Sequence, residues 1–198
     1  MAGTTRDESK LFYAGIPGFR YYGKTKIIEL VIKSLGESLL SAFEKLYPFD
    51  SYKKPADAFI DAKDDTYFGC NGLEAVEASS RRQPTYYYRF DYADHRVPDF
   101  IGAAHGTEIP LVFGNLDSSF RAFYSGGQRK KAKPLVDAMM SYWARFAKNG
   151  DPNMEGLMVW PKYDTTERRR MYLDLPIIVR PADNLEKCAF WKEQGIIQ

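Results

Sequence analysis

Histidine and cysteine are the scarce residues of this 198-residue sequence, with two of each. Two cysteines exclude a disulfide-dense scaffold, and no Cys-x-x-Cys pair is present for zinc or redox chemistry. Two histidines confine any imidazole chemistry to His95 and His105. A charge excess is missing as well: 28 Lys and Arg against 26 Asp and Glu leave a formal +2. That balance speaks against nucleic acid or an acidic membrane surface as a partner. The basic clusters Arg81-Arg82, Arg129-Lys130-Lys131 and Arg168-Arg169-Arg170 are scattered and read as solvated surface. Long apolar runs are lacking too. The most apolar stretch, 27–43, is broken by Glu29, Lys33 and Glu37, so no membrane span is expected. The opening residues show no apolar stretch behind a basic start, so no signal peptide is read there. Gly126-Gly127 lacks the Gly-Lys-Ser/Thr ending of a phosphate loop, and no metal-ligand spacing occurs, so no cofactor and no metal are expected.

What is present is the material of a folded domain. Hydrophobic residues make up 44%, enough for a core, and 14 Tyr with 13 Phe supply large side chains whose hydroxyls need partners. Ile27, Ile28, Val31, Ile32, Leu35, Leu39, Leu40 and Phe43 recur at helical spacing over 24–47, with Gly36 able to split the segment and Pro48 ending it. Pro55 opens a helix over 55–63. A third helix, 65–82, is expected to turn Tyr67, Phe68, Leu73 and Val76 inward. The aromatic run 85–92 is the clearest strand. Residues 93–117 read as loop, 135–148 as a strong helix, 171–173 and 177–179 as short strands, and 183–194 as a last helix burying Cys188, Phe190 and Trp191. With neither repeat nor linker, 1–198 reads as one domain. One convincing strand among several helices is a shortage, because a sheet needs partners for its backbone groups. The sequence reads as part of something larger, packed on the edge of a sheet.

His105 lies in Gly102-Ala103-Ala104-His105-Gly106-Thr107-Glu108-Ile109-Pro110-Leu111-Val112-Phe113-Gly114, where small neighbours leave the imidazole unobstructed. On these residues alone it is either a general base on a loop or an ordinary surface histidine. Longer matches decide between the two. Tyr88-Arg89-Phe90-Asp91 and the segment from His105 to Leu116 resemble the strand and catalytic-histidine loop of the type-B carboxylesterases. That α/β-hydrolase family includes the cholinesterases and the bacterial para-nitrobenzyl esterases. Residues 142–153, Trp160-Pro161-Lys162-Tyr163 and Ala189-Phe190-Trp191 are similar to its later helices and loops, so the resemblance covers nearly the whole chain.

The resemblance implies an α/β fold, the C-terminal portion of an α/β-hydrolase, helix-rich with few strands and an incomplete sheet. Gly3-Thr4-Thr5-Arg6-Asp7-Glu8-Ser9 resembles the family's Gly-x-Asn-x-Asp-Glu-Gly, which makes Glu8 the acid that orients His105 and Asp7 its neighbour. Thr5 stands where Asn is usual, and Ser9 where Gly is usual. In this fold the triad runs Ser, acid, His, so the nucleophile is expected upstream of residue 1, with the oxyanion glycines. Gly36-Glu37-Ser38-Leu39-Leu40 is the nearest imitation of the serine elbow, and it ends in Leu within a helical pattern. Cys70 and Cys188 match a disulfide pair of the cholinesterases, although Asn71 replaces their proline; a bridge is expected, and with it a lean toward an oxidising compartment. Phe113 and Phe120 are expected near an acyl or alcohol pocket. The implied function is to supply acid and base for hydrolysis of a small-molecule carboxylic ester, with the missing N-terminal part or another chain as partner. The alternative is a noncatalytic fragment or interaction module of the same fold.

Overall fold

The computed structural model describes residues 1–118 and 121–197. The chain opens with a strand, β1 (Ala2–Thr5). It continues through α1 (Lys10–Ala14), α2 (Lys24–Leu35), α3 (Leu40–Leu46), α4 (Pro55–Asp64) and α5 (Cys70–Ser80). Strand β2 (Tyr87–Phe90) returns to the sheet, followed by the single-turn helices α6 (Pro98–Ile101) and α7 (Ile109–Val112). The long α8 (Gly126–Asn149) leads to β3 (Arg169–Leu173), β4 (Ile178–Pro181) and α9 (Leu185–Glu193). The strands lie in the order β1-β2-β3-β4; the first two pairings are parallel and the last antiparallel.

Helices cover both faces of this sheet, and β2 shows why. Alternate side chains of a strand point to opposite faces, so Tyr86 and Phe90 enter one core while Tyr87 enters the other. The first core holds Ile27, Val31, Phe43, Phe59, Leu73 and Trp191; the second holds Leu111, Leu135, Met139, Tyr142, Trp160 and Met171. The indole N–H groups of the two buried tryptophans are satisfied: Trp160 Nε1 donates to the Tyr87 carbonyl at 3.1 Å, and Trp191 Nε1 to the Tyr47 hydroxyl at 2.9 Å. Tyr47 in turn donates to Asp65, which also accepts from Asn184.

Four differences from the sequence reading have physical causes. The run 85–92 pairs only over its middle, and it is an interior strand, because β1 joins its open side. Ala-Gly-Thr-Thr carries no alternation to announce a strand; close packing recruits it, since a Cβ on Gly3 would stand 2.4 Å from the Tyr88 ring. The helix expected from 135 begins at Gly126 instead. There Ser125 and Gln128 form a reciprocal capping box, and Pro134 is carried inside the helix. The helix expected over 65–82 begins with a π turn, Asp65–Gly69, that continues α4. The extra residue in that turn rotates the face, so Leu73 and Val76 are buried while Tyr67 is exposed. The expected loop 93–117 contains α6 and α7, because Pro98 and Pro110 each sit in a first turn, where proline is tolerated and its fixed φ favours the helix. Gly36, at φ 91°, does separate α2 from α3.

Cys70 and Cys188 are joined, tying the start of α5 to α9 across a sequence separation of 118. Closing so long a loop removes entropy from the unfolded chain, a contribution of ~2–5 kcal/mol. The double variant Cys70→Ala/Cys188→Ala should lose stability in that range. Urea unfolding of oxidised wild type and variant checks this, and equal midpoints would mean that the bridge adds nothing.

Candidate active site

Because β1 and β2 run parallel, their carboxyl ends lie side by side, and the Arg6 N–H donates to the Phe90 carbonyl at 2.9 Å. The turn after β1 is then held by three backbone donors. Thr5 N–H donates to Glu8 Oε1 at 2.6 Å, Ser9 N–H to Asp64 Oδ1 at 2.5 Å, and Asp7 N–H to the Ala103 carbonyl at 2.9 Å. Asp7 also accepts the Ala103 N–H at 2.8 Å, so one residue clips the turn to the loop that carries His105. The clip demands glycine at 102. Gly102 has φ +64°, and a Cβ there would stand 2.3 Å from Asp7 Oδ2.

Glu8 and His105, 97 residues apart, meet as a result. Glu8 Oε2 lies 2.6 Å from His105 Nδ1. The carboxylate is buried, whereas the His105 side chain is 57% exposed and its ring lies 5.8 Å from both Phe12 and Phe68. Glu8 uses one oxygen for Thr5 N–H and the other for the ring N–H. The ring proton is therefore held on Nδ1, which leaves Nε2 a lone pair able to take a proton. Beside the ring is a cavity of about 180 Å³ lined by Leu11, Ile101, Gly106, Thr107, Pro110 and Phe123. A larger cleft of about 470 Å³ among Arg6, Lys10, Arg20, Lys53 and Asp99 touches neither Glu8 nor His105.

Two further carboxyl groups are perturbed here. Burial pushes Asp64 well above the usual carboxylate range, against the pull of its bonds to Ser9. Burial likewise raises Glu108, and the charge of Glu8 adds to it while His105 opposes it. His95 is buried, and burial lowers its pKa.

Of the residues expected at the site, Glu8 and His105 are brought together and Asp7 braces them from the side. Ser38 lies in an exposed turn between α2 and α3, outside the cavity. Phe113 is 70% exposed and does not line the cavity; Phe123 does. Phe120 lies outside the described residues. Asp64 sits unmarked in Lys63-Asp64-Asp65, where no local pattern announces its bond to Ser9. Glu108 and His95 were in view, one inside the matched motif and one as the second histidine, without a role.

A mainly parallel sheet with helices on both faces, carrying an acid and a histidine beyond the carboxyl ends of adjacent strands, is the architecture of an α/β-hydrolase. The carboxylesterase family model matches residues 2–191, and the chain belongs to that family. It is 30% identical over 187 residues to the para-nitrobenzyl esterase of Bacillus subtilis (strain 168), covering 94% of this chain and 36% of that protein. It is 34% identical over 170 residues to carboxylesterase 1C of Rattus norvegicus, covering 81% and 29%. A solved structure of a thermophilic PNB esterase superposes with a TM-score of 0.70 at 30% identity, over 94% of this chain and 37% of that one. The chain thus spans about a third of the length of these relatives.

Gly102→Ala should destabilise the fold by ~1–3 kcal/mol, the cost of an alanine in a glycine-only conformation, with the Asp7 clash added. Gly127→Ala, in open space on α8, should instead be neutral or stabilising by up to ~1 kcal/mol. Chemical denaturation of both variants checks the contrast, and similar effects would count against the Asp7–Gly102 contact.

Proposed function

We propose that this chain is the C-terminal portion of a serine carboxylesterase and supplies its acid, Glu8, and base, His105. The nucleophilic serine and oxyanion donors would come from a segment outside these 198 residues, in the same polypeptide or on another chain. The observation that carries the reading is the 2.6 Å contact between Glu8 Oε2 and His105 Nδ1 beside an apolar cavity. Family membership supports it, as do relatives named as carboxylesterases and para-nitrobenzyl esterases.

In this reading His105 Nε2 takes the serine proton as the serine oxygen attacks the ester carbonyl. The imidazolium is stabilised by Glu8 through the Nδ1–H bond. The same proton then passes to the departing alcohol, leaving an acyl-enzyme. Water, activated by His105, attacks that acyl group and releases the acid with the serine restored. The lining by Leu11, Ile101, Pro110 and Phe123 suits an apolar acyl or alcohol group rather than a charged one.

Alone, the chain should hydrolyse para-nitrophenyl acetate no faster than a generic histidine-containing protein. Losing a single oxyanion donor already costs ~10²–10³ in rate. Supplying the upstream part of a carboxylesterase, as a fusion or a co-expressed chain, should restore hydrolysis. In that assembly His105→Ala should cost about 10³-fold or more in kcat, and Glu8→Gln nearly as much. Serine-reagent-sensitive activity in the isolated chain, or an active assembly indifferent to His105→Ala, would overturn the reading. An assembly that forms but never hydrolyses esters would favour a noncatalytic interaction module.

A further inference from the structure

The second histidine is not idle in the fold. His95 lies ten positions before His105, after β2, with its ring 1% exposed. It stacks on Phe123 at 4.2 Å between centroids and meets Tyr124 edge-on at 6.1 Å. One ring nitrogen, Nε2, is 2.8 Å from the Gly102 carbonyl oxygen. The other, Nδ1, is 3.2 Å from the backbone N–H of Val97.

Those two partners fix the protonation state without recourse to titration. A carbonyl oxygen only accepts, so Nε2 must carry a proton. A backbone N–H only donates, so Nδ1 must not. The neutral Nε2–H form alone satisfies both. The cation would set an N–H of the ring against the N–H of Val97 at a partly buried contact, leaving both donors without an acceptor.

The bond to Gly102 matters because of where it falls. Gly102 and Ala103 form the tight stretch that Asp7 grips from the other side. His95 holds the Gly102 carbonyl, Asp7 holds both backbone groups of Ala103, and His105 follows two residues later. We propose that His95 is a positioning residue for the base: as a neutral Nε2–H imidazole it staples the Gly102–Ala103 turn and so keeps the His105 ring on Glu8. This rests on the reading of His105 as the base; His95 itself touches no reacting atom.

The staple is sensitive to acid. Burial holds the His95 pKa below its ordinary value, and Lys10 adds to this. The Gly102 carbonyl and the carboxylates of Asp94 and Asp7 pull the other way without cancelling it. Asp94 is partly engaged by Lys131 and Gln128, and the Tyr124 phenol faces the ring from the neighbouring segment. With the folded pKa below the unfolded one, the unfolded chain takes up the proton first as pH falls. The staple's contribution is therefore complete above the unfolded value of ~6.5 and is lost as pH falls through the folded value.

Histidine-selective ¹⁵N labelling tests the proposal on the chain itself, because only two imidazoles contribute signals. At a pH where both rings are neutral, wild type should show His95 as Nε2–H and His105 as Nδ1–H. His95→Phe keeps an aromatic ring to stack on Phe123 but makes neither hydrogen bond, and His105 should lose its single tautomer and become a mixture. His95→Gln keeps a donor and an acceptor on a non-titrating group, and should restore the Nδ1–H form of His105. Its stability should also fall less than that of wild type as pH drops below about 6.5. In a reassembled esterase, His95→Phe should lower kcat by about tenfold or more with KM little changed, and His95→Gln should recover most of it. A wild-type His105 spectrum in His95→Phe would overturn the proposal, as would His95→Gln being as damaged as His95→Phe. If instead the assembly ignores His105→Ala, the base reading fails while the tautomer result still reports whether His95 holds the loop.

Discussion

Two strands that run in the same direction deliver their loops to the same side of a sheet. The parallel pairing of β1 with β2, in register from Ala2 with Tyr87 to Thr5 with Phe90, is the constraint on which the site depends. Without it the turn after β1 and the loop after β2 have no reason to meet, being about ninety residues apart in the chain. With it, Arg6 is bonded to the last residue of β2, Asp7 reaches Ala103, and Glu8 arrives beneath His105. Ligand sites of open α/β sheets form at such carboxyl ends for this reason.

Burying Glu8 is expensive, since removing a carboxylate from water costs several kcal/mol after relaxation. What offsets it is local and directional. A backbone N–H approaches one oxygen at 2.6 Å and the imidazole the other, and bonds to a charged acceptor contribute about 1.5–3 kcal/mol each. The two together match the cost approximately, so the carboxylate holds its place without being a large source of stability. The stability resides in the two aromatic cores and the Cys70–Cys188 bridge, on which Glu8 makes no demand. An acid placed this way can keep its geometry while the ring beside it remains largely open to solvent.

How much of this was legible beforehand follows from how local each signal is. The helical stripe from Ile27 to Phe43, the break at Gly36 and the aromatic strand all announce themselves within a few residues. So did the segment around His105, whose identity came from a long motif. The start of the sheet was not legible, because Ala2–Thr5 is a strand by virtue of what it packs against. Pro134 reads as a helix break, yet the capping box at Ser125 sets the helix start nine residues earlier. The outward turn of Tyr67 depends on a π turn that no periodicity reveals. Asp64 and His95 were opaque for a different reason. Each acts on a backbone group far off in sequence or in a loop, and a backbone partner leaves no pattern of residue types to read.

That π turn also explains how the disulfide side of the molecule and the acid turn are joined. Continuing α4 by Asp65–Gly69 lets two consecutive aspartates serve different regions. Asp64 bonds the Ser9 backbone immediately after Glu8. Asp65 accepts from Tyr47 and Asn184 and lies 3.6 Å from the Lys187 ammonium, within reach of the bridge that fixes α9. Burial raises both pKa values, and the Lys187 ammonium draws that of Asp65 part of the way back. The bridged end of the fold and the turn that carries Glu8 are thus joined through the Asp64–Asp65 peptide bond and the hydrogen bond from Ser9 N–H to Asp64.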